Sequence, residues 1–179
     1  MKILFFLFVT LCFCSACGPK LSPFTQRLYE DQRWTKDDLE RIQFYLSEDL
    51  VLTRELRDGS SEIRNGQIKI VDGREVEQVI FKRNTPGVYV FSPKENSIAV
   101  SFESNNDNFL VFGPNPSSGN RYAIRAKEWN NSARYGIVTY GDREWRISSA
   151  DGYANILVPL KRLRNQDVSG RVVGGRRVN

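Results

Sequence analysis

Turn signals recur about every 8–12 residues across the second two thirds of the chain, and no interval between them can hold a crossover helix. Parallel strands need such crossovers, so the pattern selects an antiparallel β fold. Asn65-Gly66 is the sharpest signal, because both central residues of a type I′ turn need positive φ. A two-residue loop there sets Ile63 opposite Ile68 and Glu62 opposite Lys69, giving one apolar face and one ion pair. Strands follow at Val76–Lys82 after Asp72-Gly73, and at Val88–Phe91 after Thr85-Pro86-Gly87. Ile98–Phe102 alternates, with Ile98, Val100 and Phe102 on one face and Ala99 and Ser101 on the other. Phe109–Phe112 is continuously apolar and is expected to be buried on both sides. After the Gly113–Asn120 loop, Tyr122, Ile124 and Ala126 alternate against Arg121, Arg125 and Lys127.

The clearest hairpin is Tyr135–Ser148 around Gly141-Asp142, which suits a type II′ turn. Its register sets Val138 opposite Trp145 and Gly136 opposite Ile147, with Tyr140 on the same face and Glu144 and Arg146 on the wet one. A last strand, Asn155–Leu160, turns Ile156, Val158 and Leu160 inward. The expected fold is mainly β: an antiparallel sandwich or barrel of about 8–9 short strands with one N-terminal helix packed against it. That helix is expected from Thr35 to about Leu50. Thr35 and Asp38 form a capping box, Asp37, Asp38 and Glu40 suit the first turn, and Leu39, Ile42, Leu46 and Leu50 make one apolar stripe. A weaker helical stretch spans Thr25–Trp34, and no internal repeat is visible.

The N-terminus has a different character. Lys2 is followed by the apolar run ILFFLFVTLCF from Ile3 to Phe13, shorter than the about 20 residues a membrane span needs. Ser15-Ala16-Cys17-Gly18 after that run resembles the lipobox of bacterial lipoproteins. The position three before the cut holds Cys14, where that family prefers an aliphatic residue. The resemblance covers roughly the first 18 residues. It implies cleavage before Cys17 and lipid attachment at Cys17, with the membrane as a partner. More than one acyl chain would be needed for firm anchoring. Cysteine usage agrees: all three cysteines lie at or before position 17, so the mature chain has no pair to form a disulfide. The competing reading is an ordinary signal peptide cut after Ala16. Gly18 stands where Asp would signal inner-membrane retention, and no acidic run follows. These features favour the outer membrane, with the domain in the periplasm.

The chain divides into a signal peptide over 1–16, a Pro/Gly tether over 17–24, one domain over 25–163 and a tail over 164–179. The net charge of +5 does not spread over the domain. From Lys161 onward there are six cations and one anion, whereas residues 17–160 hold 19 cations and 20 anions. A basic tail on a nearly neutral body argues against nucleic acid as a partner.

The chain has no histidine, and Cys17 is its last cysteine. That removes Ser-His-Asp and Cys-His mechanisms and thiolate or imidazole metal sites. Paired carboxylates could still catalyse glycoside hydrolysis. The acid pairs Asp37-Asp38 and Glu48-Asp49, however, fall at the expected helix ends, and Glu144 has Arg146 beside it. Residues 103–108, ESNNDN, lack the glycine and terminal Glu of a calcium loop and read as a polar hairpin loop. No catalytic residue, cofactor or metal is therefore expected.

Two features remain as candidate partner-binding sites. The tail carries Arg171, Arg176 and Arg177 between valines and glycines; it is either a solvated end or an arm for an anionic partner. Among the late-strand aromatics Trp129, Tyr135, Tyr140 and Trp145, Trp129 is the exception to a core assignment. It precedes Asn130-Asn131-Ser132 and is expected at a loop tip. By analogy with the lipoprotein class, these features imply a non-catalytic envelope protein, a subunit of or scaffold for a multiprotein assembly such as a secretion or transport machine. The alternative is a lipid or small-molecule carrier barrel. The bulky Phe102, Phe109, Phe112 and Trp145 favour a filled core, and no small-molecule ligand is expected as a partner.

Overall fold

Two antiparallel sheets carry the alternating segments, in a computed structural model that describes residues 20–56, 67–71 and 74–159, with backbone alone at 67–71, 74 and 75. The elements in chain order are β1 (Leu21–Pro23), α1 (Gln26–Gln32), α2 (Lys36–Glu40), β2 (Gln43–Leu46), β3 (Leu50–Glu55), β4 (Gln67–Val71) and β5 (Arg74–Phe81). They continue with β6 (Pro86–Phe91), β7 (Ile98–Ser101), β8 (Phe109–Asn115), β9 (Arg121–Ile124), β10 (Glu128–Asn130), β11 (Tyr135–Tyr140), β12 (Arg143–Ser148) and β13 (Ile156–Pro159). The larger sheet runs β1-β13-β2-β6-β7-β8-β9 and the smaller β10-β11-β12-β3-β5-β4. The fold is sandwich-like, not a closed barrel. The last strand of the larger sheet meets the chain beside β1 and β13 only through isolated bridges, Thr25 with Arg121 and Ala123 with Asn155.

The chief departure from expectation lies at residues 35–50. The capping box is real: Asp38 N–H donates to Thr35 Oγ1 at 3.3 Å, and Thr35 N–H donates to Asp38 Oδ2 at 3.0 Å. The helix it starts ends at Glu40, and the chain then becomes β2 and β3. Leu39, Ile42, Leu46 and Leu50 are all buried, as a stripe requires, but so is Phe44. Ile42, Phe44 and Leu46 form a period-two run with Gln43 and Tyr45 half-exposed, and an aromatic-rich run of that period suits a sheet. The helical stretch near Thr25–Trp34 does form, capped by Thr25 Oγ1 accepting from Leu28 N–H at 3.2 Å. The segment read as a tether is also corrected in part. Leu21–Pro23 pairs with Leu157–Pro159, and Phe24 is fully buried.

The Tyr135–Ser148 hairpin has the expected register, with Val138 opposite Trp145, Gly136 opposite Ile147, and Gly141 at φ 58°. Its wet face differs in detail. Glu144 accepts from Lys127 Nζ at 2.7 Å, and Arg146 pairs with Glu55 at 2.6 Å. Cross-strand pairs in the larger sheet set Ile98 with Phe112, Val100 with Leu110 and Phe112 with Ile124 on one buried face. The opposite face of β7 is buried too, at Ala99 and Ser101, whereas Phe109 and Val111 on β8 are only half-buried. The expectation that Phe109–Phe112 is covered on both sides therefore fails on its outer face. Between the sheets, Phe81 meets Phe102 at 5.7 Å and Tyr140 at 5.3 Å, and Phe102 meets Phe112 at 6.1 Å. These rings occupy the interior that a carrier would need to leave open.

The expected Asn65-Gly66 hairpin, the Asp72-Gly73 turn, Leu160, Cys17 and the tail arginines Arg171, Arg176 and Arg177 lie outside the described residues. No helix among the described residues is long and apolar enough to cross a membrane.

Candidate functional site

Trp129 lies on β10, the edge strand of the smaller sheet, and not at a loop tip. It is directly opposite Gly136 on β11. A Cβ at Gly136 would lie 2.8 Å from Trp129 Cε3 and Cζ3. A Cβ at Gly152, in the short turn Asp151–Tyr153 before β13, would lie 2.3 Å from Trp129 Cη2. Two glycine backbones thus form a bed for the indole that no side-chain-bearing residue could provide without displacing it. The rest of the ring is open, and Trp129 retains 41% of its exposure.

This indole belongs to a groove of about 460 Å³. One wall is Gly113 with Asn115, Pro116 and Ser117, where Asn115 Oδ1 accepts from Ser117 N–H at 3.0 Å and starts the 3₁₀ turn at Pro116. The neighbouring wall is Ile124, Arg125 and Ala126, with the Arg125 stem packed over Gly113. The third is Ser149, Gly152 and Tyr153, of which Tyr153 is 55% exposed. Arg125 is the one charged residue in this lining among the described residues. The side chains of Ser117, Arg125, Asn131 and Ser149 make no hydrogen bond or ion pair among the described residues. Their polar groups are thus left for water or for a ligand.

Sequence reading singled out Trp129 but not the groove around it. Tyr153, Gly152 and Arg125 are distant in the chain or ordinary in type, and nothing local marks them. The other predicted site residues, Cys17, Arg171, Arg176 and Arg177, lie outside the described residues.

A second polar cluster was also missed. Glu77 on β5 is only 1% exposed and is gripped by the Arg54 guanidinium, whose Nε donates at 3.2 Å and whose Nη2 is closer still. Arg143 lies 3.7 Å away, and Arg54 lies over the Trp145 ring at 5.5 Å. Among the described residues no second acid of the kind glycoside hydrolysis uses is paired with this carboxylate between two arginines. Its arrangement instead compensates a charge held between sheets. Glu77 Oε1 is nonetheless buried without a partner. Elsewhere the acids serve turns: Asp49 accepts from Arg83 N–H at 2.8 Å and from Lys82 Nζ at 2.9 Å, which lowers its pKa. The 103–108 loop is held by Ser101 Oγ donating to Glu103 O and Asn105 O at 3.1 Å. No group of three or more His, Cys, Asp or Glu suited to a metal occurs among the described residues.

Comparison with known protein families, with curated proteins and with solved structures finds no match for this chain.

Proposed function

We propose that this chain is a lipid-anchored, non-catalytic envelope protein whose sandwich domain acts as a subunit of or scaffold for a multiprotein assembly, held to the membrane through Cys17. The observation that carries the binding part is the indole of Trp129, bedded on two glycines at a sheet edge and left two-fifths exposed. An aromatic fixed on backbone and open to water is the kind of anchor that dominates recognition surfaces. The lipobox-like Ser15-Ala16-Cys17-Gly18 supports the anchoring part. The basic tail, with Arg171, Arg176 and Arg177, is a second contact for anionic partners. An outer-membrane location, with the domain in the periplasm, fits Gly18 after the cysteine.

The carrier reading gains no support from the interior, where Phe81, Phe102, Phe112 and Tyr140 touch ring to ring. The test has two parts. Cys17→Ser should move the protein out of the membrane fraction and abolish incorporation of radiolabelled fatty acid. Crosslinking in intact cells should trap large specific partners, fewer of them when the chain is truncated after Leu163. Unchanged fractionation of the Cys17→Ser protein, or recovery of monomer alone, rejects the proposal.

A further inference from the structure

The geometry points to the Trp129 groove as a saccharide site, one that takes a pyranose ring bearing a carboxylate. This goes beyond the assembly role proposed above, since it names a saccharide as what the Trp129 groove takes, and it does not depend on the anchor.

Three requirements of sugar recognition meet in the groove. The first is a fixed aromatic surface. The ring C–H bonds of a pyranose are polarised by neighbouring oxygens and are attracted to the electron-rich face of an aromatic ring. Gly136 and Gly152 fix the indole of Trp129, and Tyr153 supplies a second exposed ring in the same lining. The second is a set of unspent hydrogen-bonding groups. Ser117, Asn131 and Ser149 offer hydroxyl and amide groups that make no hydrogen bond among the described residues, and hydroxyl and planar amide groups match the alternating donors and acceptors of a sugar rim. The third is size. About 460 Å³ falls within the range of small-ligand sites, roughly 300–1,000 Å³.

The charge of the lining narrows the ligand class. Arg125 faces the groove, and among the described residues no carboxylate in the lining neutralises it. A guanidinium presents a planar fork of donors that fits a carboxylate with two parallel hydrogen bonds. The stem of Arg125 is supported against Gly113, where a Cβ would lie 3.2 Å from its Cδ. A side chain supported in this way loses less freedom on binding than one free in water. A proline-rich peptide would prefer a row of apolar slots between aromatic rings. The walls here carry hydroxyl, amide and guanidinium groups instead, which favours the sugar.

The test is calorimetric titration of the full chain, with tryptophan fluorescence in parallel. The probes are the acidic disaccharide N-acetylglucosaminyl-N-acetylmuramic acid, the neutral disaccharide chitobiose and a proline-rich decapeptide. The acidic disaccharide should bind saturably with a blue shift in emission, at least tenfold tighter than chitobiose. Arg125→Met should erase that tenfold preference, bringing the acidic disaccharide down to the affinity of chitobiose for the same variant. Trp129→Ala should reduce binding of both sugars at least tenfold; Tyr153→Ala, at an exposed ring, gives the same reading, a loss for both sugars, should Trp129→Ala fail to fold. The inference is overturned if no sugar binds, if the peptide alone binds, or if the Arg125→Met protein keeps its preference. A chain that binds the sugar yet fails to fractionate with membranes would keep this inference and reject the anchor.

Discussion

Phe24, just after β1, and Trp129, on the edge strand β10, are both large aromatics at the margin of a sheet, yet one is core and the other faces water. Phe24 is surrounded by rings: Tyr122 at 4.7 Å, Trp34 and Phe44 at 5.5 Å, and Tyr29 at 6.2 Å. Trp129 has no ring partner among the described residues and rests on glycine backbone. An aromatic packed on aromatics gives its whole surface to the core. One bedded on backbone is fixed in place while part of it stays available to a ligand. The same residue class therefore does opposite work at the two places, and the difference lies in what the neighbours are.

The largest expected effect breaks the pair directly. Phe24→Ala should cost about 3–5 kcal/mol in urea unfolding, because it leaves a cavity among four rings. Trp129→Ala should cost only about 1–2 kcal/mol, because much of its surface is already in water and no enclosed void remains. Equal losses would show that Trp129 is a core residue after all. Next in size is Gly152→Ala. The added methyl collides with the indole, so it should cost about 1–2 kcal/mol and shift Trp129 emission to the red as the ring swings out. An unshifted spectrum would mean that the glycine bed does not fix the ring.

A smaller effect tests the buried side. The Tyr122 hydroxyl is buried in the Phe24 cluster without a hydrogen-bond partner, and burial pushes its phenol well above the ordinary value of 10.0. Tyr122→Phe should therefore stabilise the protein by about 1 kcal/mol at neutral pH, since it removes an unpaired polar group. The alkaline response follows from linkage. With the folded pKa raised, the contribution is intact below pH 10.0 and is lost as pH rises above it, because the unfolded phenol ionises first. The Phe variant should lose part of that alkaline slope in thermal melts. Tyr140, pushed upward by burial and by the Glu103 carboxylate, should supply the remainder.

How much of this comparison the sequence displays depends on range. The mainly antiparallel architecture and the Tyr135–Ser148 register are local matters of alternation and turn chemistry, and both could be read directly. The 35–50 segment could not, because Leu39, Ile42, Leu46 and Leu50 fit a helical stripe while Ile42, Phe44 and Leu46 fit a strand. The choice between them is made by pairing with distant β6 and β13. Leu21–Pro23 was missed for the same reason, since a three-residue segment that itself ends in proline becomes a strand only where β13 offers an edge. The exposure of Trp129 was legible from its polar followers. The groove was not, since it joins residues near 113, 125 and 152 that approach only through the fold.

The smallest effect sharpens the comparison by separating its two halves with pH. Trp34 stacks on Phe24 at 5.5 Å with an interplanar angle of 14°, and the next residue, Thr35, is fixed by Asp38. Hydrogen bonds from the Thr35 side chain and then its backbone N–H lower the Asp38 pKa below its ordinary 3.8. A depressed carboxyl stabilises the fold above the unfolded value, and that stability is lost as pH falls below about 3.8 through the folded pKa. Protonation then loosens the capping box on the side of the Phe24 cluster, while the groove lining has no carboxylate to titrate among the described residues. In an NMR titration the indole N–H signal of Trp34 should move below pH 4 and that of Trp129 should stay. Asp38→Asn should remove the Trp34 movement. Parallel shifts of both signals would mean that acid acts on the whole domain and that the two aromatic regions are not independent.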